Sequence, residues 1–100
     1  MVGAAKLFAS LGEPARLVLL KSLLGGEKTV GQLAKETRMK QGNVSKHLGL
    51  LLDVGLLGRR REGNFAYYFV GDPLVRQLCE LVCDKVARDA RERIGVEGHF

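Results

Sequence analysis

The sequence predicts a mostly helical α+β domain whose elements follow the order α-α-α-α-β-β-α. Three observations lead to this prediction. Apolar residues recur at helical spacing in several segments before residue 56. Two short runs then flank Gly63 and Asn64, and the second is rich in aromatic residues, which is typical of a β-hairpin. A long helical segment follows Asp72 and Pro73, which are suited to the start of a helix.

The length and charge of the chain limit its function classes. The 100 residues, 46% of them hydrophobic, suffice for one domain with one modest core, so we expect residues 1–100 to form a single domain. A formal net charge of +5 favours a polyanionic partner, of which nucleic acid is the commonest. The sequence lacks both a membrane-spanning apolar stretch and a signal-peptide pattern, so we expect a cytoplasmic protein with no membrane partner.

The first two helices are predicted at residues 1–11 and from Pro14 onward. The first is apolar on more than one face, which favours packing partly on a second copy of the chain, whereas an ordinary core helix is the alternative. Proline at the first helical position begins the second helix, and Gly25 and Gly26 end it. The apolar residues that we expect to form the buried stripe of this second helix are Leu17, Leu20 and Leu24, with Val18 and Leu23 beside them.

Residues 29–55 are predicted to form two short amphipathic helices joined by a tight turn. Apolar side chains recur at i, i+3 and i+4 in both halves, with a polar break between them. Thr29 is placed to cap the first helix, and Gly55 is placed to end the second. Two helices in this arrangement form a helix-turn-helix.

The outer face of the second of these helices is polar and basic in its first turns. Short hydrogen-bonding side chains next to positive charge suit the major groove of double-stranded DNA, although a merely solvated surface is the alternative. The residues of this unit that we predict to contact DNA are Thr29, Lys40, Gln41, Asn43, Ser45, Lys46 and His47.

The hairpin is predicted over residues 56–71. Gly63 and Asn64 both tolerate positive φ, as the favoured two-residue turn demands, but the commoner order is Asn-Gly, so the sequence leaves the turn type open. Three consecutive cations on the outgoing strand, directly behind the helix-turn-helix, indicate a wing that lies along phosphates or in the minor groove. The alternative is an edge strand whose charges prevent aggregation. The predicted DNA contacts of the wing are Arg59, Arg60, Arg61 and Asn64.

The last helix is predicted over residues 73–94, with Asp72 as its N-cap. Its second half is heavily charged, as expected at the edge of a dimer, and residues 95–100 are predicted to fray. The residues that make its first half apolar over a broad arc, and that we therefore expect to be buried, are Leu74, Val75, Leu78, Cys79, Leu81, Val82 and Val86.

Four sequence segments, taken in this order and spacing, resemble the ArsR/SmtB family of winged-helix repressors over residues 11–81. They are LGEPARLVLLKSLL, VGQLAKETRMKQGNVSKHLGLLLDVGLL, RRREGNFAYYFV and DPLV. The resemblance implies a homodimer formed by the first and last helices. It also implies an operator with inverted repeats in double-stranded DNA, and repression that an inducer relieves.

The resemblance also bears on single positions. It places Gln41, Ser45 and Lys46 among the groove or phosphate contacts, and Arg60 or Arg61 on the wing. Lys40 stands where the family often has a capping serine, so a cap is not expected there. His47 matches a family histidine that often lies beside the turn. Packing or a local hydrogen bond is therefore the alternative to a DNA contact for His47.

The familiar metal sites of the family are absent from the sequence as written. One of them uses cysteines in the helix that opens the helix-turn-helix, where residues 28–31 contain no thiol. The zinc-type site uses histidines on the last helix, and residues 72–94 contain none. The inducer therefore needs another site, or there is no such inducer.

Cys79 and Cys83 are the only two cysteines and lie one helical turn apart on one face of the last helix. Their β-carbons should be about 5–6 Å apart, whereas a disulfide needs about 3.5–4.5 Å, so a direct bond would strain the helix. A soft metal ion, a trivalent metalloid or a short polysulfur bridge would span the gap more easily. The alternative is that both cysteines only pack in the core, and that another ligand, a partner or the expression level controls the regulator.

The sequence does not predict an enzyme. Ser45 and His47 point about 200° apart around one helix and cannot act as a nucleophile and base. The sequence contains no glycine-rich nucleotide loop, no HExxH motif and no metal cluster. A winged helix used only for protein assembly is a third class, and the basic wing argues against it.

Overall fold

The computed structural model describes residues 2–95, with side chains from Gly3 to Glu92. Its helices and strands are α1 (Val2–Leu11), α2 (Pro14–Leu24), α3 (Val30–Thr37), α4 (Gln41–Asp53), β1 (Leu57–Glu62), β2 (Phe65–Val70) and α5 (Pro73–Gly95). This order confirms the predicted α-α-α-α-β-β-α arrangement. Met1 of the predicted first helix and residues 96–100, for which fraying was predicted, lie outside the described residues.

The core lies between α2, α3, α4 and the base of the two-stranded sheet. Each buried leucine contributes about 1.5–3 kcal/mol relative to an exposed one. The buried hydrophobic residues are Leu19, Leu20, Leu23, Leu33, Val44, Leu48, Leu51, Leu56, Leu57, Tyr68 and Val75. Of the part of α5 that the structure describes, only Val75 belongs to this set, so α5 lies largely outside the core.

Two predictions of buried apolar residues, in α2 and α5, are wrong in part within one chain. Leu17 and Val18 of the predicted stripe of α2 are 48% and 50% exposed, because the face of α2 that carries Leu19 packs against the core instead. The expected burial of the first half of α5 holds only in part, since Val75 is buried and Leu74, Leu78 and Cys79 are half-buried. Leu81, Val82 and Val86 are 69%, 56% and 62% exposed, because no other element among the described residues covers that face.

The predicted start and end of the helix-turn-helix are confirmed. The Thr29 hydroxyl accepts from the Gln32 N–H at 3.2 Å, and the Gln32 side chain accepts from the Thr29 N–H at 2.8 Å, which is a capping box. At the end of α4, Gly55 has φ +81°. The Gly55 N–H donates to the Leu52 carbonyl and the Leu56 N–H to the Leu51 carbonyl, both at 3.0 Å, which is a Schellman motif.

The start of α5 is also confirmed, because the Asp72 carboxylate accepts from the Leu74 N–H at 2.9 Å. In the hairpin, β1 pairs antiparallel with β2, and the turn lies at Gly63 and Asn64. The structure decides the type of this turn, which the sequence left open. Gly63 has φ +61°, whereas Asn64 does not have positive φ, which fits a type II′ turn with glycine first.

The base of the hairpin is tied to the chain segment that precedes α3. The Lys28 N–H donates to the Tyr68 carbonyl at 3.1 Å, and the Tyr68 N–H donates to the Lys28 carbonyl at 2.9 Å. Because Tyr68 is itself buried in the core, these two bonds fix the hairpin beside the helix-turn-helix.

Candidate nucleic-acid interface

The N-terminus of α4 has no side-chain cap. Lys40 occupies the N-cap position with extended backbone, and its side chain makes no capping hydrogen bond, as the departure from the family's serine indicated. The first four N–H groups of a helix have no partner within the helix. Together with the positive end of the helix dipole, these groups attract an anion such as a phosphate.

The first turns of α4 present a polar face opposite the buried residues Val44, Leu48 and Leu51. Lys40, Gln41, Asn43, Ser45 and Lys46 are all exposed. Among the side chains that the structure describes, none of these five has a hydrogen-bond or ion-pair partner, so their donors and charges face solvent.

The turn between α3 and α4 contains a residue that the sequence reasoning missed. Arg38 ends α3 in the left-handed conformation, with φ +62° and ψ +22°. A non-glycine residue there costs about 1–2 kcal/mol. Its side chain is exposed and, within residues 3–92, has no partner. The sequence signal was a third cation in the polar break, beside Lys35 and Lys40.

His47 lies against α2 rather than on the open face of α4. Its Nδ1 is 3.4 Å from Nη1 of Arg16, and its Nε2 is 3.9 Å from a carboxylate oxygen of Glu13. Only 18% of its side chain is exposed. Desolvation raises the pKa of Glu13, but the N–H groups of Ala15 and Arg16 and the nearby positive charges lower it further, so the net direction is down.

Thr29 uses its hydroxyl as the acceptor of the capping box and is half-buried. The hydroxyl group of Thr29 can still donate its own hydrogen. Thr29, at the N-terminus of α3, therefore remains a candidate phosphate contact. Asn64 is exposed at the tip of the hairpin. Within the described part of the chain its side chain has no partner.

The three arginines of β1 are not equivalent. Arg60 donates through Nε to Glu27 at 2.8 Å and through Nη1 to Glu62, and its guanidinium lies 4.7 Å from the ring centroid of Tyr67. The hydrogen bonds that Arg60 donates to Glu27 and Glu62 raise its pKa. This charge is therefore already balanced by two carboxylates.

Arg59 and Arg61 lie on the opposite face of the strand from Arg60, because side chains alternate along a strand. They pair in register with Tyr68 and Ala66. Both are exposed, and neither has a partner among residues 3–92. The cations that the wing can offer to a phosphate are therefore Arg59 and Arg61.

The two cysteines lie close together at the edge of an apolar groove. Their Sγ atoms are 3.4 Å apart, Cys79 is half-buried and Cys83 is exposed. The hydrogen bond with Cys83, followed by desolvation and the charge of Cys83, raises the pKa of Cys79.

The groove beside the thiols has a volume of about 230 Å³ and is formed by α1, α2 and α5. Among the described residues that line it, Lys21 is the only polar one apart from the thiols. Within the described residues, no group of three or more His, Cys, Asp or Glu side chains could hold a metal ion. Two sulfur donors suit a soft ion or metalloid of low coordination number, but they do not complete the tetrahedral set of a zinc site.

A helix-turn-helix with an open polar face, followed by a hairpin that carries exposed cations, defines a winged helix-turn-helix DNA-binding protein. The sequence model described as bacterial regulatory protein, arsR family, matches residues 13–58. A probable mercury resistance operon repressor of Streptomyces lividans is 37% identical over 99 residues, which cover 94% of this chain and 79% of the relative. The chain belongs to the ArsR family of transcriptional regulators, as the sequence resemblance indicated.

Solved structures support the same fold. Rv0081 of Mycobacterium tuberculosis superposes with a TM-score of 0.82 at 29% identity, over 91% of this chain and 92% of that one. The homodimeric winged helix-turn-helix DNA-binding domain of Mb0332 from Mycobacterium bovis gives a TM-score of 0.77 at 32% identity, over 98% and 87% of the two chains. In the described residues, we find no helix with the length and hydropathy needed to cross a bilayer.

Proposed function

We propose that this chain is a homodimeric transcriptional repressor, not an enzyme, which binds double-stranded operator DNA in the cytoplasm. One observation carries the proposal. The exposed side chains in the first turns of α4 have no partners among the described residues, and they belong to the same winged-helix unit as Arg59 and Arg61. The single domain would comprise the helix-turn-helix (29–55), the wing (56–71) and a C-terminal dimerisation helix (73–94).

We assign the two parts of this surface different roles. Gln41, Asn43 and Ser45 offer short hydrogen-bonding groups to base edges in the major groove, and Lys46 adds a charge. Arg59 and Arg61 would contact phosphates or the minor groove beside it. The former group should determine which sequence is bound, and the latter should contribute affinity for any sequence.

Selection of bound duplexes from a random pool tests the DNA assignment. We expect an inverted repeat whose half-site centres lie about 34–36 Å apart, or a multiple of that distance, because a two-fold dimer presents two recognition helices to one face of the duplex. Gln41→Ala should relax the base preference of the selected pool. Lys35→Ala, on an exposed position of α3 outside the proposed surface, is the control and should select the same sequence. A pool without any enriched sequence would contradict the assignment.

We propose that the dimer forms through α1 and α5. Phe8, Leu81 and Val82 are exposed hydrophobic residues on these two helices, and contiguous exposed apolar surface usually marks an interface. The Mb0332 domain is described as homodimeric, which supports a homodimer of this chain. The two copies would thus join on the side where no element of one chain covers α5.

Light scattering at micromolar concentration tests the dimer. The parent should have twice the chain mass, and Val82→Glu should have the mass of one chain, because a charge would be buried in the interface without a partner. Phe65→Glu, on an exposed apolar residue of the wing, is the matched control and should remain a dimer. A monomeric parent would overturn the interface.

We further propose that Cys79 and Cys83 bind a soft metal ion, a trivalent metalloid or a polysulfur species, and that this lowers operator affinity. The specific support is the 3.4 Å distance between the two thiols beside the apolar groove. The name of the Streptomyces lividans relative, a mercury resistance operon repressor, fits a thiol-seeking inducer. The site adjoins the proposed dimer surface, and two half-sites are engaged together only when the geometry permits it.

Operator affinity measured with arsenite, mercuric ion, zinc, an organic persulfide and diamide tests the thiol site. A coupling of about 1–3 kcal/mol corresponds to a change of about 5- to 150-fold in affinity. The Cys79→Ser, Cys83→Ser double variant should bind the operator as tightly as the untreated parent does. The reagent that changes the affinity of the parent should not change that of the double variant. If none of the five reagents changes the operator affinity of the parent, or if the affinity of the double variant changes equally, the cysteines only pack. Another ligand, a partner or the expression level would then control the protein.

A further inference from the structure

Arg16 joins three helices at one guanidinium. Its Nε donates to the Ser10 carbonyl at 2.7 Å and its Nη2 to the Ala9 carbonyl at 3.2 Å, both in the last turn of α1. Its Nη1 lies 3.4 Å from Nδ1 of His47 on α4. A single side chain of α2 therefore contacts both the end of α1 and the recognition helix.

The contact with α1 has a clear physical basis. The last four carbonyl groups of a helix have no partner within the helix, and the negative end of the helix dipole favours a cation there. A guanidinium presents five donors in a rigid plane, so it can bind two carbonyls of α1 and a third acceptor at once, which a lysine ammonium does not reproduce. Arg16 thus caps α1 and still has one donor for α4.

The contact with α4 determines the state of the His47 ring. A guanidinium has no acceptor, so a hydrogen bond between Arg16 and His47 requires that Nδ1 accept and that the ring proton lie on Nε2. Nε2 faces the Glu13 carboxylate at 3.9 Å. His47 directly follows Ser45 and Lys46, which lie on the exposed face of α4. The ring therefore anchors α4 next to the residues proposed to contact DNA.

We propose that the Arg16–His47 contact is a positioning link that sets the direction of the recognition helix relative to α1. This inference rests on the proposed homodimeric DNA-binding function, because α1 belongs to the proposed dimer surface. The two recognition helices of a dimer must fit two half-sites together, so the link governs the fit to both. Its loss weakens binding to the full inverted repeat more than binding to one half-site.

Four variants test the link on a full operator and on a single half-site. Arg16→Gln and His47→Leu each remove the contact, and each should lower full-site affinity at least about fivefold with half-site affinity within about twofold. The double variant should be no weaker than either single variant, because the two residues act as one unit. His47→Asn places an amide oxygen where Nδ1 accepts, and should restore most of the full-site affinity.

Lys35→Gln is the charge-matched control, since it removes one exposed cation from α3 and should change full-site and half-site affinity by the same factor. Equal losses on both DNAs for His47→Leu, additive losses in the double variant, or failure of His47→Asn to restore binding would each overturn the link. A parent that shows no preference for the inverted repeat over a half-site would instead overturn the proposed dimeric function.

A measurement without DNA tests the link separately. The nitrogen chemical shifts of the His47 ring, assigned by comparison with His47→Asn, report which nitrogen carries the proton. The parent should show the form with the proton on Nε2, and Arg16→Gln should lose this preference. A parent ring with its proton on Nδ1 cannot accept from Arg16, and this result would overturn the link whatever the protein does with DNA.

Discussion

Arg60 of the wing holds Glu27, 33 positions earlier in the chain, with 2.6 Å between Nη2 and the carboxylate oxygen. Glu27 directly precedes Lys28, whose backbone pairs with Tyr68 of β2. The ion pair and the backbone bridge therefore fasten the wing to the same short segment, which in turn leads into α3. The arginine that the sequence placed among the DNA contacts thus also holds the wing in position.

Glu27→Gln should loosen the wing without unfolding the protein. The variant removes the charge that attracts Arg60, so the adjacent bridge should open more often, and amide hydrogen exchange should become faster at Lys28 and Tyr68. Glu62→Gln is the matched control, because it removes the other carboxylate partner of Arg60 but keeps the connection to Glu27. Equal exchange rates in the two variants would contradict a bracing role for Glu27.

The two N-caps of the helix-turn-helix should respond in opposite directions to substitution. Thr29→Ala removes one side of the capping box and should lower the free energy of unfolding by about 1 kcal/mol. Lys40→Ser supplies the cap that α4 lacks and should raise it by about 0.5–1 kcal/mol, while weakening DNA binding. Urea unfolding measures both, and Lys40→Ala separates loss of charge from gain of a cap. If Lys40→Ser were no more stable than Lys40→Ala, the serine would not act as a cap for α4, which would contradict the prediction.

The end of the Phe69 ring occupies the space that a β-carbon at Gly58 would need, so a side chain there requires the ring to move. A β-carbon there would lie 2.4 Å from the tip of that ring. Gly58→Ala should therefore displace Phe69 and lower the free energy of unfolding by about 1–3 kcal/mol. The Gly58→Ala, Phe69→Leu double variant should recover part of this loss relative to Phe69→Leu alone. Additive losses would show that the cost has another origin.

Most elements of the fold could be predicted because their signals are local. The apolar spacing of α3 and α4, the cap at Thr29 and the stop at Gly55 all lie within a few residues of the structure that they determine. The buried face of α2 could not be predicted as reliably. Leu17 and Leu19 are equally apolar, and only the position of the other helices decides which of them is buried.

In the candidate site, too, the features that depend on neighbouring residues could be predicted, and those that depend on distant residues could not. The polar face of α4 follows from its sequence, whereas the difference between Arg60 and its two neighbours depends on Glu27, which is distant in sequence. The contact between Arg16 and His47 likewise joins two helices that are separated by α3. Local patterns carry no information on such pairs, so three adjacent arginines looked alike in the sequence.

Stability at acid pH should depend on Glu36. Hydrogen bonds from Lys28 and Ser22 lower the pKa of Glu36 below its ordinary value of 4.5. A group whose pKa is lowered in the folded state stabilises the fold above its unfolded pKa, and this contribution is lost as the pH falls through the folded pKa. The urea midpoint of the parent should therefore fall between about pH 5 and 3 more steeply than that of Glu36→Gln. In a Lys28→Met background this difference should shrink, and an unchanged difference would contradict the assigned cause.

The arginines of the wing should separate in their salt dependence. Each cation that neutralises a phosphate contributes about one to the slope of log affinity against log salt. Arg59→Gln and Arg61→Gln should each reduce the slope by about one, because neither arginine has a partner among the described residues. Arg60→Gln should reduce the slope by less, since Glu27 and Glu62 already balance that charge.

In a Glu27→Gln background the effect of Arg60→Gln should grow, because Arg60 then has one carboxylate fewer. Gln41→Ala serves as the control, since it should change the base preference and leave the slope as it is. Equal slopes for all three arginine variants would show that the contacts of Arg60 in the free protein do not persist on DNA.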